Sequence, residues 1–254
     1  MARTLTLAYG VVAYLIFFGT FLHLVAFVAG LPVPWTLDSA PVAPLGTALA
    51  IDLALVALFG VQHAVMARPA FKRRFAQVVP EPLERSTFVL AASACLWLLF
   101  GAWRGVEGVV WSVGDPVLAG AIHAVAALGW GTVLLSTFLI DHFDLFGLRQ
   151  VWLAFRGKPY TALRFRERAL YALVRHPLML GFLVAFWAAP TMTASRLVFV
   201  LAMTGYVLVG VRIEERTLRE LHGDDYRDYA ERVPGLVPFL RPRRRAAGAA
   251  GSPS

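Results

Sequence analysis

The chain alternates long apolar runs with short polar segments. A bilayer core about 30 Å thick needs about 20 apolar residues in a helix. Four runs have about that length and a fifth is longer; they cover residues 5–30, 45–67, 86–103, 117–140 and 178–211. The pattern therefore predicts a protein that enters or crosses a membrane several times as helices.

The fifth run is too long for one crossing, because as a single helix it would extend about 51 Å at roughly 1.5 Å per residue. A turn-forming stretch, residues 190–196 (Pro-Thr-Met-Thr-Ala-Ser-Arg), interrupts it. This predicts a tight helical hairpin that supplies spans five and six. The fold class expected is an all-α integral membrane protein with about six membrane-embedded helical segments, including this C-terminal hairpin and a cytoplasmic C-terminal helix.

Composition supports a single membrane domain over residues 1–242. Apolar residues make up 58% of the chain and charged residues 16%, whereas a soluble domain carries roughly 25% charge. The one cysteine, Cys95, excludes a disulfide framework and a paired-thiol metal site. The first run exceeds the apolar part of a signal peptide, so we expect it to be retained. Residues 243–254 lack apolar periodicity and predict a disordered basic tail.

The net charge of +8 could indicate nucleic acid, but the position of the basic residues favours a membrane. Of the 24 basic residues, 22 lie in segments that the predicted spans place on one side, with Arg104 and Arg196 opposite. Basic loops stay in the cytoplasm. We therefore expect a multi-pass protein of a bacterial inner membrane with both termini cytoplasmic. The bilayer is the predicted partner, and no nucleic acid or protein partner is indicated.

Two short motifs flank the predicted hairpin. Arg175, His176 and Pro177 stand directly before its first helix, whose N-terminus favours a carboxylate; a membrane-entry turn with a snorkelling arginine explains them equally well. Glu214 and Glu215 stand where the second helix returns to the cytoplasm. Adjacent carboxylates usually mark a solvated helix, but the hairpin brings these two near the first motif, where they suit a cationic, hydroxyl-bearing ligand.

Further polar residues occur at membrane depth, where ionisable groups are costly and are candidates for function: His23, Asp52, Gln62, His63, His123, Asp141 and His142. For a single histidine, an interhelical hydrogen bond is the first interpretation and a haem or metal ligand the alternative. No pair has helical ligand spacing, so no metal site is predicted. Asp141 and His142 differ, because they lie where span four meets the interface near the Arg-His-Pro motif.

The order Arg-His-Pro, hairpin, Glu-Glu, Tyr-x-x-Tyr and Val-Pro resembles the C-terminal half of the isoprenylcysteine carboxyl methyltransferase superfamily. Residues 139–152 (Leu-Ile-Asp-His-Phe-Asp-Leu-Phe-Gly-Leu-Arg-Gln-Val-Trp) and 186–193 (Phe-Trp-Ala-Ala-Pro-Thr-Met-Thr) resemble signatures of one branch, the methanethiol S-methyltransferases, grouped with the nurim family. Met179 stands where the wider superfamily usually has an aromatic residue. This departure argues against a prenylcysteine substrate and fits the thiol-methylating branch.

The resemblance implies S-adenosylmethionine as methyl donor and a site formed mainly by residues 139–240. The cofactor-binding residues it implies are Arg175, His176, Pro177, Leu178, Gly181, Glu214, Glu215 and Tyr226. A small volatile thiol, methanethiol first, would become dimethyl sulfide. The base that takes the proton from this thiol would be Asp141, His142 or Tyr229. Three alternatives stay open: a prenylcysteine or lipid acceptor, a non-catalytic nurim-like protein, and a haem protein.

Overall fold

The computed structural model of the protein describes residues 1–161, 169–238 and 240. A 3₁₀ turn, Glu81–Leu83, precedes α4. The other elements, in chain order, are α1 (Ala2–Ala29), α2 (Leu45–Met66), α3 (Pro69–Phe75), α4 (Glu84–Ala102), β1 (Val109–Ser112), α5 (Pro116–Ile140), α6 (His142–Leu145), α7 (Leu148–Phe155), α8 (Leu170–Leu173), α9 (Pro177–Trp187), β2 (Thr191–Thr193) and α10 (Ala194–Arg232). The predicted disordered tail, residues 243–254, lies outside the described residues.

The helical membrane fold is confirmed. Within the described ranges, five helical stretches are long and apolar enough to span a bilayer: Ala2–Ala29, Leu45–Met66, Glu81–Ala102, Pro116–Ile140 and Ala194–Leu221. The remaining segment predicted to be embedded corresponds to α9, an apolar helix of 11 residues. By itself α9 extends only about 16 Å, which is about half of a bilayer core.

The first arm of the hairpin is therefore part helix and part extended chain. Its helix ends at Trp187. The chain then continues in extended form as β2, which pairs antiparallel with β1. Proline disfavours helix in the residue before it, so Pro190 accounts for the early end. The hydroxyl of Thr193 then accepts a bond from the Arg196 amide at 3.1 Å and caps α10. From residue 194 to residue 215, α10 rises about 32 Å, matching a bilayer core.

The bundle has two ends with different content. At the sheet end, the Arg196 guanidinium donates to Asp38 at 2.7 Å and to the Val28 carbonyl at 2.5 Å, tying residues 30–44 to the hairpin. At the opposite end, here called the polar end, lie residues 66–84, 141–161 and 169–176 and the part of α10 beyond residue 213. The start of α1 belongs to this end, since Tyr14 bonds His142 at 2.9 Å.

An aromatic core fixes the sheet half of the bundle. The rings of Phe27 and Phe100 lie 4.9 Å apart, and those of Phe186 and Phe199 lie 5.3 Å apart. Trp103 is also fully buried there and donates to the Ser195 hydroxyl at 3.2 Å. These contacts join α1, α4, α9 and α10.

Helices α5 and α9 pack backbone against backbone through two glycines. A Cβ added to Gly129 would lie 2.6 Å from the Ala185 amide nitrogen, and one added to Gly181 would lie 2.8 Å from both the Gly129 carbonyl oxygen and the Val133 nitrogen. Gly129 lies opposite Ala185, and Val133, further along α5, lies opposite Gly181, which comes earlier in α9. The two helices are therefore antiparallel. The end of α5 is thereby brought to the start of α9, at the polar end.

We expect Gly129→Ala to lower the apparent thermal unfolding midpoint. The alanine methyl group would clash with the backbone of α9, which cannot move aside as a flexible side chain could. Overpacking of this kind costs about 1–3 kcal/mol. The matched control is Gly131→Ala on the same helix, where an added Cβ meets nothing within 4 Å. Equal midpoints for the two variants in detergent would contradict the close contact.

Candidate functional site

A buried ion pair joins the two arms of the hairpin at the polar end. The Nε atom of Arg175 donates to Oε1 of Glu215 at 2.9 Å, and a terminal nitrogen of the same guanidinium contacts that oxygen as well. The side chains are 10% and 12% exposed. Buried charges are tolerated only when they are paired and hydrogen-bonded. This pair therefore fixes the start of α9 against α10.

His176 lies between the two neighbouring glutamates. Its Nδ1 is 3.3 Å from a Glu214 oxygen and its Nε2 is 3.2 Å from Oε1 of Glu215. Burial by itself lowers the pKa of His176, but the hydrogen bonds and charges of the two carboxylates outweigh it and raise the pKa above its ordinary value. Because both ring nitrogens face acceptors, this arrangement favours the protonated imidazole.

The same arginine also binds the end of α10 and the residues that follow it. Its NH1 atom donates to the Ala230 carbonyl at 2.9 Å and to the Val233 carbonyl at 2.5 Å, and its backbone amide donates to the Pro234 carbonyl at 2.8 Å. A break at Gly223, with φ 54°, redirects the last turns of α10 so that they reach it. The segment after α10 is therefore folded back over the start of α9.

Glu214 and Glu215 are adjacent in sequence but differ in surroundings. Both oxygens of Glu215 are occupied, since Arg175 and His176 share Oε1 and Arg219 reaches Oε2 at 2.5 Å. The Glu214 side chain is 49% exposed and pairs with His176. Glu214 therefore keeps acceptor capacity for a ligand, whereas Glu215 holds the frame of the site.

The first turn of α9 also faces this cluster. Pro177 is its first residue and is buried, and the amides of Leu178 and Met179 have no acceptor within the helix. Gly181 packs on α5. The turn thus offers two N–H groups and a positive dipole end beside Glu214, while Pro177 and Gly181 set the helix position.

Tyr226 and Tyr229 form one wall behind the ion pair. Both are buried, their ring centroids are 5.8 Å apart, and they pack with Val233. The Tyr229 hydroxyl donates to the Tyr171 carbonyl at 2.6 Å. Burial raises the pKa of Tyr226. The predicted roles of Tyr226 in cofactor binding and of Tyr229 as a base stay predictions.

Asp141 caps a helix. Its backbone has φ 151°, outside the regions that residues with side chains favour, and its Oδ1 accepts a bond from the Asp144 amide at 2.9 Å. The bond caps α6 and turns the chain sharply at the end of α5. The catalytic role predicted for Asp141 stays a prediction.

His142 is 3% exposed, and both of its ring nitrogens are engaged. Its Nδ1 is 2.8 Å from the Thr137 hydroxyl and its Nε2 is 2.9 Å from the Tyr14 hydroxyl. Because the Thr137 hydroxyl donates to the Leu134 carbonyl, it accepts from Nδ1–H, and Tyr14 then donates to Nε2. Burial lowers the pKa of His142, which keeps it neutral. The catalytic role predicted for it also stays a prediction.

Sequence reasoning missed a polar cluster formed by Asp144, Arg149 and Tyr160. Asp144 accepts from Arg149 at 2.8 Å and from the Tyr160 hydroxyl at 3.2 Å, and the Arg149 guanidinium lies 5.3 Å from the Tyr160 ring. The signal was the acidic and basic pair within the signature at residues 139–152. Asp144 and Arg149 are five positions apart, whereas residues on one face of a helix are three or four apart. The turn at Gly147 is what brings the two side chains together.

The polar residues at membrane depth do not gather at one site. His23 lies against Trp97 with ring centroids 4.7 Å apart, and Asp52 accepts from the Arg104 amide at 2.9 Å at the sheet end. His123 is exposed on α5, and His63 lies in the last turn of α2, at the polar end. In the described part of the chain, no group of three or more His, Cys, Asp or Glu side chains could hold a metal.

Comparison with known proteins gives close relatives. The chain is 51% identical over 239 residues to a methanethiol S-methyltransferase of Mycobacterium tuberculosis, covering 94% of this chain and 98% of that protein. It is 51% identical over 233 residues to methanethiol S-methyltransferase 1 of Bradyrhizobium diazoefficiens, covering 92% and 82%. Nurim of Xenopus laevis is 28% identical over 215 residues, covering 80% and 70%. No family model matches, and no solved structure matches.

The raised pKa of His176 predicts that stability depends on pH. A group with a raised folded pKa stabilises the protein fully below its unfolded value, about 6.5, and loses that contribution as pH rises through the folded value. We expect the unfolding free energy to fall above pH 6.5 by up to about 1.4 kcal/mol per pH unit. Thermal unfolding of wild type and His176→Gln across pH 6 to 9 measures it. Parallel pH profiles for the two proteins would contradict an imidazolium at this position.

Proposed function

Because the chain belongs to the methanethiol S-methyltransferase family, we propose that it transfers the methyl group of S-adenosylmethionine to a small thiol. Methanethiol is the expected acceptor, with dimethyl sulfide and S-adenosylhomocysteine as products. The observation that carries the proposal is the 51% identity to a protein of that name over 94% of the chain. The cluster of Arg175, His176 and Glu214 at the start of α9 supports it.

The chemistry of the described groups suits the amino-acid part of S-adenosylmethionine. A carboxylate fits the free amides of Leu178 and Met179 at the positive end of α9, beside the cationic His176. An ammonium or a ribose hydroxyl fits Glu214, which keeps acceptor capacity. Charge-assisted hydrogen bonds of this kind are roughly twice as strong as neutral ones.

The remaining predicted cofactor residues act on these groups indirectly in this proposal. Arg175 and Glu215 satisfy each other and hold His176 in place. Pro177 and Gly181 set the position of α9, and Tyr226 packs behind the ion pair. These residues would preorganise the site and leave direct contact mainly to Glu214, His176 and the α9 amides.

The methyl donor supplies an activated methyl group on a sulfonium, so the protein's main task is to align the acceptor with it. Positioning of this kind contributes roughly 7–11 kcal/mol in well-oriented systems. The acceptor must also lose a proton, since a free thiol is only about a few per cent thiolate at neutral pH. A one-carbon thiol offers little surface to bind, so selectivity would come from exclusion of larger thiols.

The activity is tested with the Glu214→Gln variant. We expect purified wild type to release dimethyl sulfide into the headspace from S-adenosylmethionine and methanethiol. We expect Glu214→Gln to bind S-adenosylmethionine about tenfold more weakly by calorimetry, because it loses a charge-assisted bond worth about 1.5 kcal/mol. Gas chromatography of the headspace and titration of the cofactor measure the two effects.

The matched control is Glu220→Gln, an exposed glutamate on the same helix that should change neither measurement. Methylation of a prenylcysteine or a lipid with no dimethyl sulfide formed would refute the thiol acceptor. Absence of any cofactor binding would instead place the chain with non-catalytic relatives.

We also propose that the polar end faces the cytoplasm of a bacterial inner membrane. The basic residues support this, because Arg104 and Arg196 are the two that the predicted spans place at the sheet end. Reporter fusions after Arg74 and after Arg156 are expected to be cytoplasmic, since basic loops resist translocation. An external signal at either position would reverse the orientation and place the proposed site outside the cell.

A further inference from the structure

The three residues predicted as bases are already engaged. Asp141 caps α6 through Oδ1, and His142 has both ring nitrogens hydrogen-bonded. The Tyr229 hydroxyl donates to the Tyr171 carbonyl. A thiol that approached His142 or Tyr229 would have to displace an existing bond, and Asp141 already serves as a helix cap. The base for the acceptor is therefore better sought among polar groups whose bonding capacity is unused.

His63 has such unused capacity at the polar end. Its Nδ1 atom is buried and has no hydrogen-bond partner among the residues that the structure describes. Aromatic rings surround the imidazole, with Phe88 at 4.9 Å and Phe59 at 5.6 Å between centroids. A buried polar atom without a partner costs about 1–3 kcal/mol, so a small ligand that donates a hydrogen bond there would be stabilised.

His63 lies on the same side of the bundle as the glutamate that the proposed function assigns to the methyl donor. The Phe59 ring on α2 lies 5.4 Å from the Tyr206 ring on α10. Both helices run from the sheet end to the polar end, and His63 lies about one turn beyond Phe59 while Glu214 lies about two turns beyond Tyr206. On α4, the Arg85 guanidinium lies 5.4 Å from the Phe88 ring, which packs on the His63 imidazole. Nearer the sheet end, α2 and α10 approach each other closely. A Cβ added to Gly60 would lie 3.1 Å from the Tyr206 ring. These residues therefore surround one region between α2, α4 and α10.

We propose that His63 is the base for the thiol acceptor, an inference that rests on the proposed function. The thiol S–H gives its proton to Nδ1 of the neutral imidazole. Its sulfur then forms a bond to the transferred methyl carbon, while the bond from that carbon to the sulfonium breaks and its electron pair returns to the departing sulfur.

The apolar surroundings of His63 suit an acceptor with few polar atoms. Phe59 and Phe88 flank the imidazole, and the Tyr206 ring packs on Phe59 at 5.4 Å. An S–H group is a weak donor that such surroundings tolerate. A charged or many-atom acceptor would leave polar groups unpaired against these rings. The neighbourhood of His63 therefore fits a one-carbon thiol.

The first test compares His63→Asn with His123→Asn, a histidine exposed on α5. Asparagine keeps a polar group near the Nδ1 position but does not take up a proton. We expect His63→Asn to keep its affinity for S-adenosylmethionine and to lose roughly 100-fold in kcat/KM for methanethiol at pH 6.5. The loss should narrow at pH 9, where more thiolate forms unaided, and His123→Asn should match wild type throughout.

A second readout does not depend on turnover. With S-adenosylhomocysteine bound, addition of methanethiol should shift one imidazole ¹⁵N resonance that is missing from His63→Asn. A pH-independent loss together with no shift would overturn the role of His63. Wild type that makes no dimethyl sulfide would refute the proposed function itself, so the two failures are distinguishable.

Discussion

The buried pairing of Arg175 with Glu215 is the interaction on which the polar end depends. A charge at the membrane boundary is costly unless a partner compensates it, and removing one partner of a buried pair typically costs about 3–5 kcal/mol. Arg175 meets this need with one carboxylate and two carbonyl groups from the end of α10. The pair consequently ties together both arms of the hairpin and the segment that follows them.

Because Arg175 and Glu215 must meet, both arms of the hairpin have to extend from the sheet end to the polar end. The second arm does so as a helix, and the first as the short α9 followed by extended chain. At the sheet end, pairing of β2 with β1 satisfies the backbone of that extended stretch, as a membrane-embedded chain requires. Gly129 and Gly181 then hold α5 against α9, so the start of α9 is fixed from two sides.

In the proposed site, the residues that hold the geometry differ from those left available to a ligand. Glu215, with both oxygens occupied, maintains the geometry, and its neighbour Glu214 remains half exposed. Likewise His176 is fixed between two carboxylates, whereas His63 keeps a buried nitrogen with no partner in the described part of the chain. Precise positioning by an immobile frame is what a methyl transfer between two small groups requires.

The sequence by itself determined the helical membrane fold, the five long spans and the split of the last apolar run, because these follow from length and hydropathy within one segment. It also identified Arg175, His176 and the two glutamates as neighbours, since a hairpin must bring its ends together. Only the tertiary structure decided that α9 stops at Trp187, that Glu215 is saturated while Glu214 is not, and that His142 bonds Tyr14. Each of these depends on partners contributed by segments distant in sequence, such as the 128 positions between Tyr14 and His142, and local patterns carry no information about such partners.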